Sequence, residues 1–263
     1  LQTKNNVFGG VEVVKKIFLS RGLCFPYISL ILIISCLVVS IPAHYNAPLY
    51  SYLVPWNSVY QNYQLFTSQF VHGNMIGFGG MPFELHLFTN IITIVFFGAF
   101  CERILGSSKI LILSVISVFA NIFTRLMISS FGTGISGVSW SYIPLAVYIS
   151  FKIYKYEKEK FFLSAINLLM LVLFALALFG VTIGNFIMGW NTNNLFHLVA
   201  TLLGFVFLII WKKDIDCTFN YMIINQTEKV TLYKLTILDK LSVFVSLAVL
   251  AVLSKIIITF FSV

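Results

Sequence analysis

Seven apolar runs follow one another along this chain, at about 24–41, 83–101, 109–128, 136–151, 161–181, 194–211 and 241–261. A helix needs roughly 20 apolar residues, with a range down to about 17, to cross a bilayer. The chain is therefore expected to be an all-α, multi-pass membrane protein. Composition agrees: 59% of residues are hydrophobic and 10% are charged, against about 25% charged in soluble domains. No separate soluble domain is expected. The net charge of +8 fits lysines facing anionic lipid, so the expected partner is the bilayer and not nucleic acid. Cys24, Cys36, Cys101 and Cys217 match no metal-binding spacing and lie in or beside apolar runs. They read as small hydrophobes, and neither metal nor cofactor is expected.

The connections divide sharply by charge. Lys4, Lys15, Lys16 and Arg21 precede the first run; Arg103 and Lys109 lie between the second and third. Lys152, Lys155, Lys158 and Lys160 lie between the fourth and fifth, and Lys212, Lys213, Lys229, Lys234 and Lys240 between the sixth and seventh. The alternate connections, 43–83, 129–135 and 182–193, carry no Lys or Arg. The positive-inside rule then predicts a cytosolic (or matrix) N-terminus and a C-terminus outside. Arg125 and Lys255 fall inside runs, near their outer ends, and are expected to snorkel.

This divides the chain into four parts. Residues 1–23 are too polar for a signal peptide; Val11, Val14, Ile17 and Phe18 at helical spacing predict an interfacial helix. Residues 24–211 form a six-span core, with Pro42 expected to end the first span. The core includes the outer connection 43–83, whose Tyr and Trp residues predict a place among the headgroups. Residues 212–240 form an inner polar loop with room for a hairpin or short helix, and 241–263 the seventh span.

Polar side chains inside spans are functional candidates by default. Ser136 ends a glycine-rich break, 131–137, and opens the fourth span between Ile135 and Gly137. Neighbouring glycines allow close backbone approach, and the free N–H groups of a helix start stabilise developing negative charge. The fourth span has about 16 residues, or about 24 Å, against a hydrocarbon core of about 30 Å. The break before it must therefore dip into protein or a wet cavity. His86 and Asn90, at i and i+4 on the second span, and His197 on the sixth fall at the same depth. Each could be plain interhelical glue. Together they fit acyl transfer, with His197 as base for Ser136 and with His86, Asn90 and the Ser136 N–H as oxyanion donors. No Asp or Glu is placed at that depth to orient His197, so the arrangement would be a dyad.

Over about 63–211 the chain resembles the rhomboid family of intramembrane serine proteases. Gly134-Ile135-Ser136-Gly137 matches the family's GxSG, His86 to Asn90 its HxxxN, and Glu102-Arg103 to Gly106-Ser107 its ERxLG signature, a charged structural latch. His197 to Gly204 is similar to HxxGxxxG, and Trp140 stands where an aromatic stacks on the catalytic histidine. The resemblance implies a rhomboid-like six-helix bundle plus a C-terminal seventh transmembrane helix. It implies a transmembrane protein as substrate, cut near its outer end, with small helix-breaking residues preferred.

The chain departs from the pattern in four places. Tyr63-Gln64 replaces a Trp-Arg pair, Phe196 a small residue, and Ala200 a glycine; the connection between His72 and His86 is longer than usual. The alternative expectation is an inactive rhomboid-like protein that binds membrane clients or serves as a subunit of a membrane complex. A transporter fits less well, because no repeated halves are present.

Overall fold

The computed structural model describes residues 24–55, 60–73, 82–129, 132–156, 192–224 and 236–262. The expected interfacial helix in 1–23 and the fifth span, 161–181, lie outside the described residues. Among the described residues all regular structure is helical. In chain order these are α1 (Tyr27–Tyr45), α2 (Ala47–Leu53), α3 (Asn62–Thr67), α4 (Phe83–Leu105) and α5 (Ser107–Ile128). Next, α6 is built from Ser136–Ser139, a 3-10 turn at Trp140–Tyr142, and Ile143–Tyr156. Last come α7 (Thr192–Ile224) and α8 (Ile237–Ser262). Among the described residues five stretches are long and apolar enough to cross a membrane: α1, α4, α5, Leu195–Thr218 of α7, and α8.

The packing of α5 shows how such helices associate. Phe119, Phe123 and Met127 stand outward, 65%, 65% and 69% exposed, while Ser114, Ser117, Asn121 and Arg125 are buried. Lipid tails are as apolar as leucine, so burying leucine gains little; polar and small side chains turn inward, where partners exist. By the same logic α8 turns Asp239, Ser242 and Ser246 inward and packs along α1 and α5.

One end of the bundle is tied by carboxylates. Glu102, near the end of α4, accepts from the backbone N–H groups of Ile28 and Ser29, both at 2.9 Å, and from the Ser29 and Ser107 hydroxyls. Those N–H groups belong to the first turn of α1, which has no side-chain cap of its own because Pro26 precedes it. Glu102 therefore caps α1 from another helix, with its charge at the favourable end of the dipole. Arg103 donates to the Cys24 carbonyl at 2.7 Å. Asp239 is reciprocally bonded to Thr236 at the start of α8, and it also accepts the Ser108 N–H of α5 at 2.9 Å.

Two boundaries and one helix interior differ from expectation. α1 continues through Pro42 to Tyr45. The proline lies in the last turn and forfeits only one N–H, a loss that a packed bundle tolerates. α7 runs thirteen residues beyond the expected end at 211, to Ile224, so the polar segment 212–240 begins as helix. Its polar side chains find partners: Asp214 pairs with Lys109 of α5 at 2.5 Å, and Asp216 with Lys152 of α6 at 2.8 Å and with the Tyr148 hydroxyl. Finally, α4 contains a π-helical turn at Ile94–Ala99, which apolar periodicity does not reveal.

The connection between α1 and α4 is a folded structure in its own right. Asn46 caps α2 through Leu49 N–H at 2.9 Å. Gln64, buried, accepts the Gln61 N–H and donates to the carbonyls of Ser51, Tyr52 and Val54. Thr67 donates to the Leu53 carbonyl at 2.6 Å. The Gln64 that departs from the family pattern thus stitches α3 to the end of α2.

Candidate active site

The segment 132–135 is drawn into the protein at the end of the bundle opposite Glu102. Ile135 is fully buried, and the Gly134 N–H donates to the Ser68 carbonyl at 3.1 Å. Gly134 has φ +104°, a region L side chains rarely adopt. A Cβ there would stand 3.1 Å from His86 Nε2 and 3.5 Å from His72 Cδ2. The backbone two residues before Ser136 therefore lies directly against both imidazoles. Ser136 opens the first piece of α6 and is half-buried. Gly137 faces Asn121 of α5 so closely that any Cβ would overlap the Asn121 amide.

Trp140 follows one turn after Ser136. Its ring lies parallel to that of His197 on α7, with centroids 4.1 Å apart and planes 1° apart. The α6–α7 approach behind this stack depends on Gly204, where a Cβ would run into the Ser141 carbonyl oxygen and come within 2.9 Å of Pro144 Cδ. Ala200, one turn earlier, is buried at the same contact face.

His86 and Asn90 stack on α4 as their spacing predicts. His86 Nδ1 is 3.0 Å from the Gly73 carbonyl oxygen, which can only accept, so Nδ1 carries the proton. The opposite nitrogen, Nε2, is the one facing Gly134; it donates only when the ring is doubly protonated. Asn90 Nδ2 donates to the His86 carbonyl at 2.9 Å, leaving one of its two amide hydrogens for another acceptor.

His72 was not among the expected site residues, yet it borders this cluster. Its ring is 4.9 Å from that of His86 and its Nδ1 is 3.0 Å from Ser40 Oγ. His72 lies in the connection, outside the spanning helices. Burial, and after it the neighbouring His86, push its pKa down to about 3, against an opposing pull from the Phe70 carbonyl. Asn121 was also missed; its Nδ2 donates to Gln69 Oε1 at 2.8 Å. The signal was present in the sequence: Ser117, Asn121 and Arg125 recur every four residues inside one apolar run.

Arg125 corrects an expectation. It does not snorkel: it is 2% exposed, donates from Nη1 to Ser68 Oγ at 2.9 Å, and lies over the Phe196 ring at 5.4 Å. The last turn of α5 faces protein there, and a long side chain on that face reaches partners before it reaches the membrane surface. Among the described residues no group of three His, Cys, Asp or Glu side chains is placed to hold a metal ion.

Comparison with known families matches residues 59–213 to the Rhomboid domain. No curated protein and no solved structure matches the chain.

Proposed function

Since the chain belongs to the rhomboid family, with well over half of its length inside the matched domain, we propose that it is an intramembrane serine protease. Ser136 is the nucleophile and His197 its base. The Ser136 hydroxyl proton passes to the imidazole as Oγ attacks a substrate carbonyl carbon. The carbonyl oxygen takes the negative charge, stabilised by the Ser136 N–H, by Asn90 and, once Nε2 also carries a proton, by His86. The imidazolium returns the proton to the leaving amine, the peptide bond breaks, and an acyl-enzyme remains. Water, activated by the same imidazole, then releases the second fragment.

The observation that carries this reading is the parallel stack of His197 on Trp140. It fixes the imidazole of one helix against the first turn of another, the turn that Ser136 opens. The lysine distribution argues that this end of the bundle faces away from the cytosol or matrix. Substrates are then transmembrane helices cut near that face, at small residues where the helix unwinds.

One observation favours an inactive, client-binding rhomboid: His86 Nδ1 and one Asn90 amide hydrogen are engaged by the chain's own carbonyls. Labelling of the detergent-solubilised protein with a fluorophosphonate probe separates the two. Protease chemistry requires labelling that disappears in both Ser136→Ala and His197→Ala. A folded wild-type protein that takes no label points to the binding reading.

A further inference from the structure

We propose that Arg125 is a positioning residue for His197, acting through the ring of Phe196; the proposal rests on reading His197 as the base. Arg125 is almost fully enclosed in the last turn of α5. Among the described residues its charge meets no carboxylate: it has the Ser68 hydroxyl, the face of Phe196, and an Nε with no partner. A buried cation in a helical bundle is expensive unless something specific holds it. The face of an aromatic ring is a suitable ligand for a planar guanidinium, and its value rises when water is excluded.

The contacts around Arg125 reach both halves of the dyad. Ser68, whose Oγ accepts the hydrogen bond from Arg125 Nη1, also accepts the Gly134 N–H on its carbonyl. One turn back on α5, Asn121 presses on Gly137. The serine segment is therefore braced against α5 on both sides of Ser136. On the other side, Phe196 immediately precedes His197. Consecutive helix residues are related by a fixed rotation, so a grip on Phe196 sets the angle at which His197 meets Trp140. Arginine in an apolar run and phenylalanine before the base are each unexpected. Together they are one clamp, running from Gly134 through Ser68 and Arg125 to Phe196.

The test is a double-substitution cycle read by probe labelling, with thermal unfolding in parallel. Arg125→Ala and Phe196→Leu, which keeps apolar bulk but removes the ring face, should each lower the maximal labelling rate roughly 10- to 100-fold. The half-saturating probe concentration should stay unchanged. The double variant should be no slower than either single, and Phe196→Tyr should label like wild type. Independent, multiplying effects, or wild-type labelling by Phe196→Leu, would overturn the proposal. A wild type that does not label defeats the protease reading instead, and unfolding then decides the clamp. Non-additive midpoints for the two substitutions support it, and additive ones overturn it.

Discussion

The two ends of α4 handle buried polarity in opposite ways. At the Glu102 end a single carboxylate takes four hydrogen bonds from α1 and the start of α5. At the His86 end, some sixteen residues and about 24 Å away, buried polar atoms are left open. Among the described residues, His72 Nε2, Asn121 Oδ1 and Arg125 Nε meet no hydrogen-bond partner. A satisfied buried network fixes shape. A site that must receive another molecule needs polar atoms that the protein itself does not fully pair. On the proposed protease reading, the Glu102 end holds the bundle and the His86 end carries the reaction.

The widest separation between the ends should come from His197→Ala. Loss of a general base is expected to lower probe labelling by roughly 10²- to 10⁴-fold, with the unfolding midpoint close to wild type. A large loss of stability would mean that the reactive end is structural after all. Next is Glu102→Ala, which strands four donors. It should lower stability by about 3–5 kcal/mol in detergent denaturation, while the fraction that remains folded labels at the wild-type rate. Slower labelling by that folded fraction would join what the comparison keeps apart.

Gly204→Ala probes the contact that brings α6 and α7 together. Its Cβ meets the backbone at Ser141, which cannot swing aside as a side chain can. Overpacking of this kind costs about 1–3 kcal/mol, and labelling should fall as well, because the same contact seats Trp140 against His197. A loss of stability without a loss of labelling would detach the stack from catalysis.

The smallest effect expected is a pH dependence from His72. Its ring is held neutral, with a pKa of about 3 against an ordinary 6.5. Its contribution to stability is complete above 6.5 and is lost as pH falls from there towards 3, because only the unfolded chain takes up the proton in that window. Unfolding midpoints at pH 7.5 and 5.5 should differ in wild type and differ less in His72→Gln. Equal pH dependence in the two proteins would remove His72 from the account.

Most of the spans were legible, because hydrocarbon demands long apolar runs and little else satisfies it. The closeness of His86 to Gly134 and of His197 to Trp140 agrees with the common depth expected from sequence, where alternating loop charges predict a direction for each run. What was not legible depends on neighbours. Pro42 lies within α1 because the bundle tolerates one missing bond, and α7 outruns its apolar stretch because Lys109 and Lys152 await Asp214 and Asp216. Arg125 looked like a surface anchor because sequence gives depth along a helix but not which face is turned inward. Gln64 looked like a lost arginine, and only the three carbonyls around it show what it holds.

The bond from Asp239 to the Ser108 N–H spans 131 residues of sequence, and that separation is also an interval of time. At a synthesis rate of about 5–20 residues per second, the start of α5 waits roughly 7–26 s for its partner to be made. Until then the faces of α1 and α5 that α8 covers are open to lipid or to whatever else is bound there. A chain that stops short of α8 has every candidate site residue and lacks the strut that joins α1 and α5. Truncation before 236 is a different lesion from any point substitution, because it leaves those faces of α1 and α5 permanently uncovered.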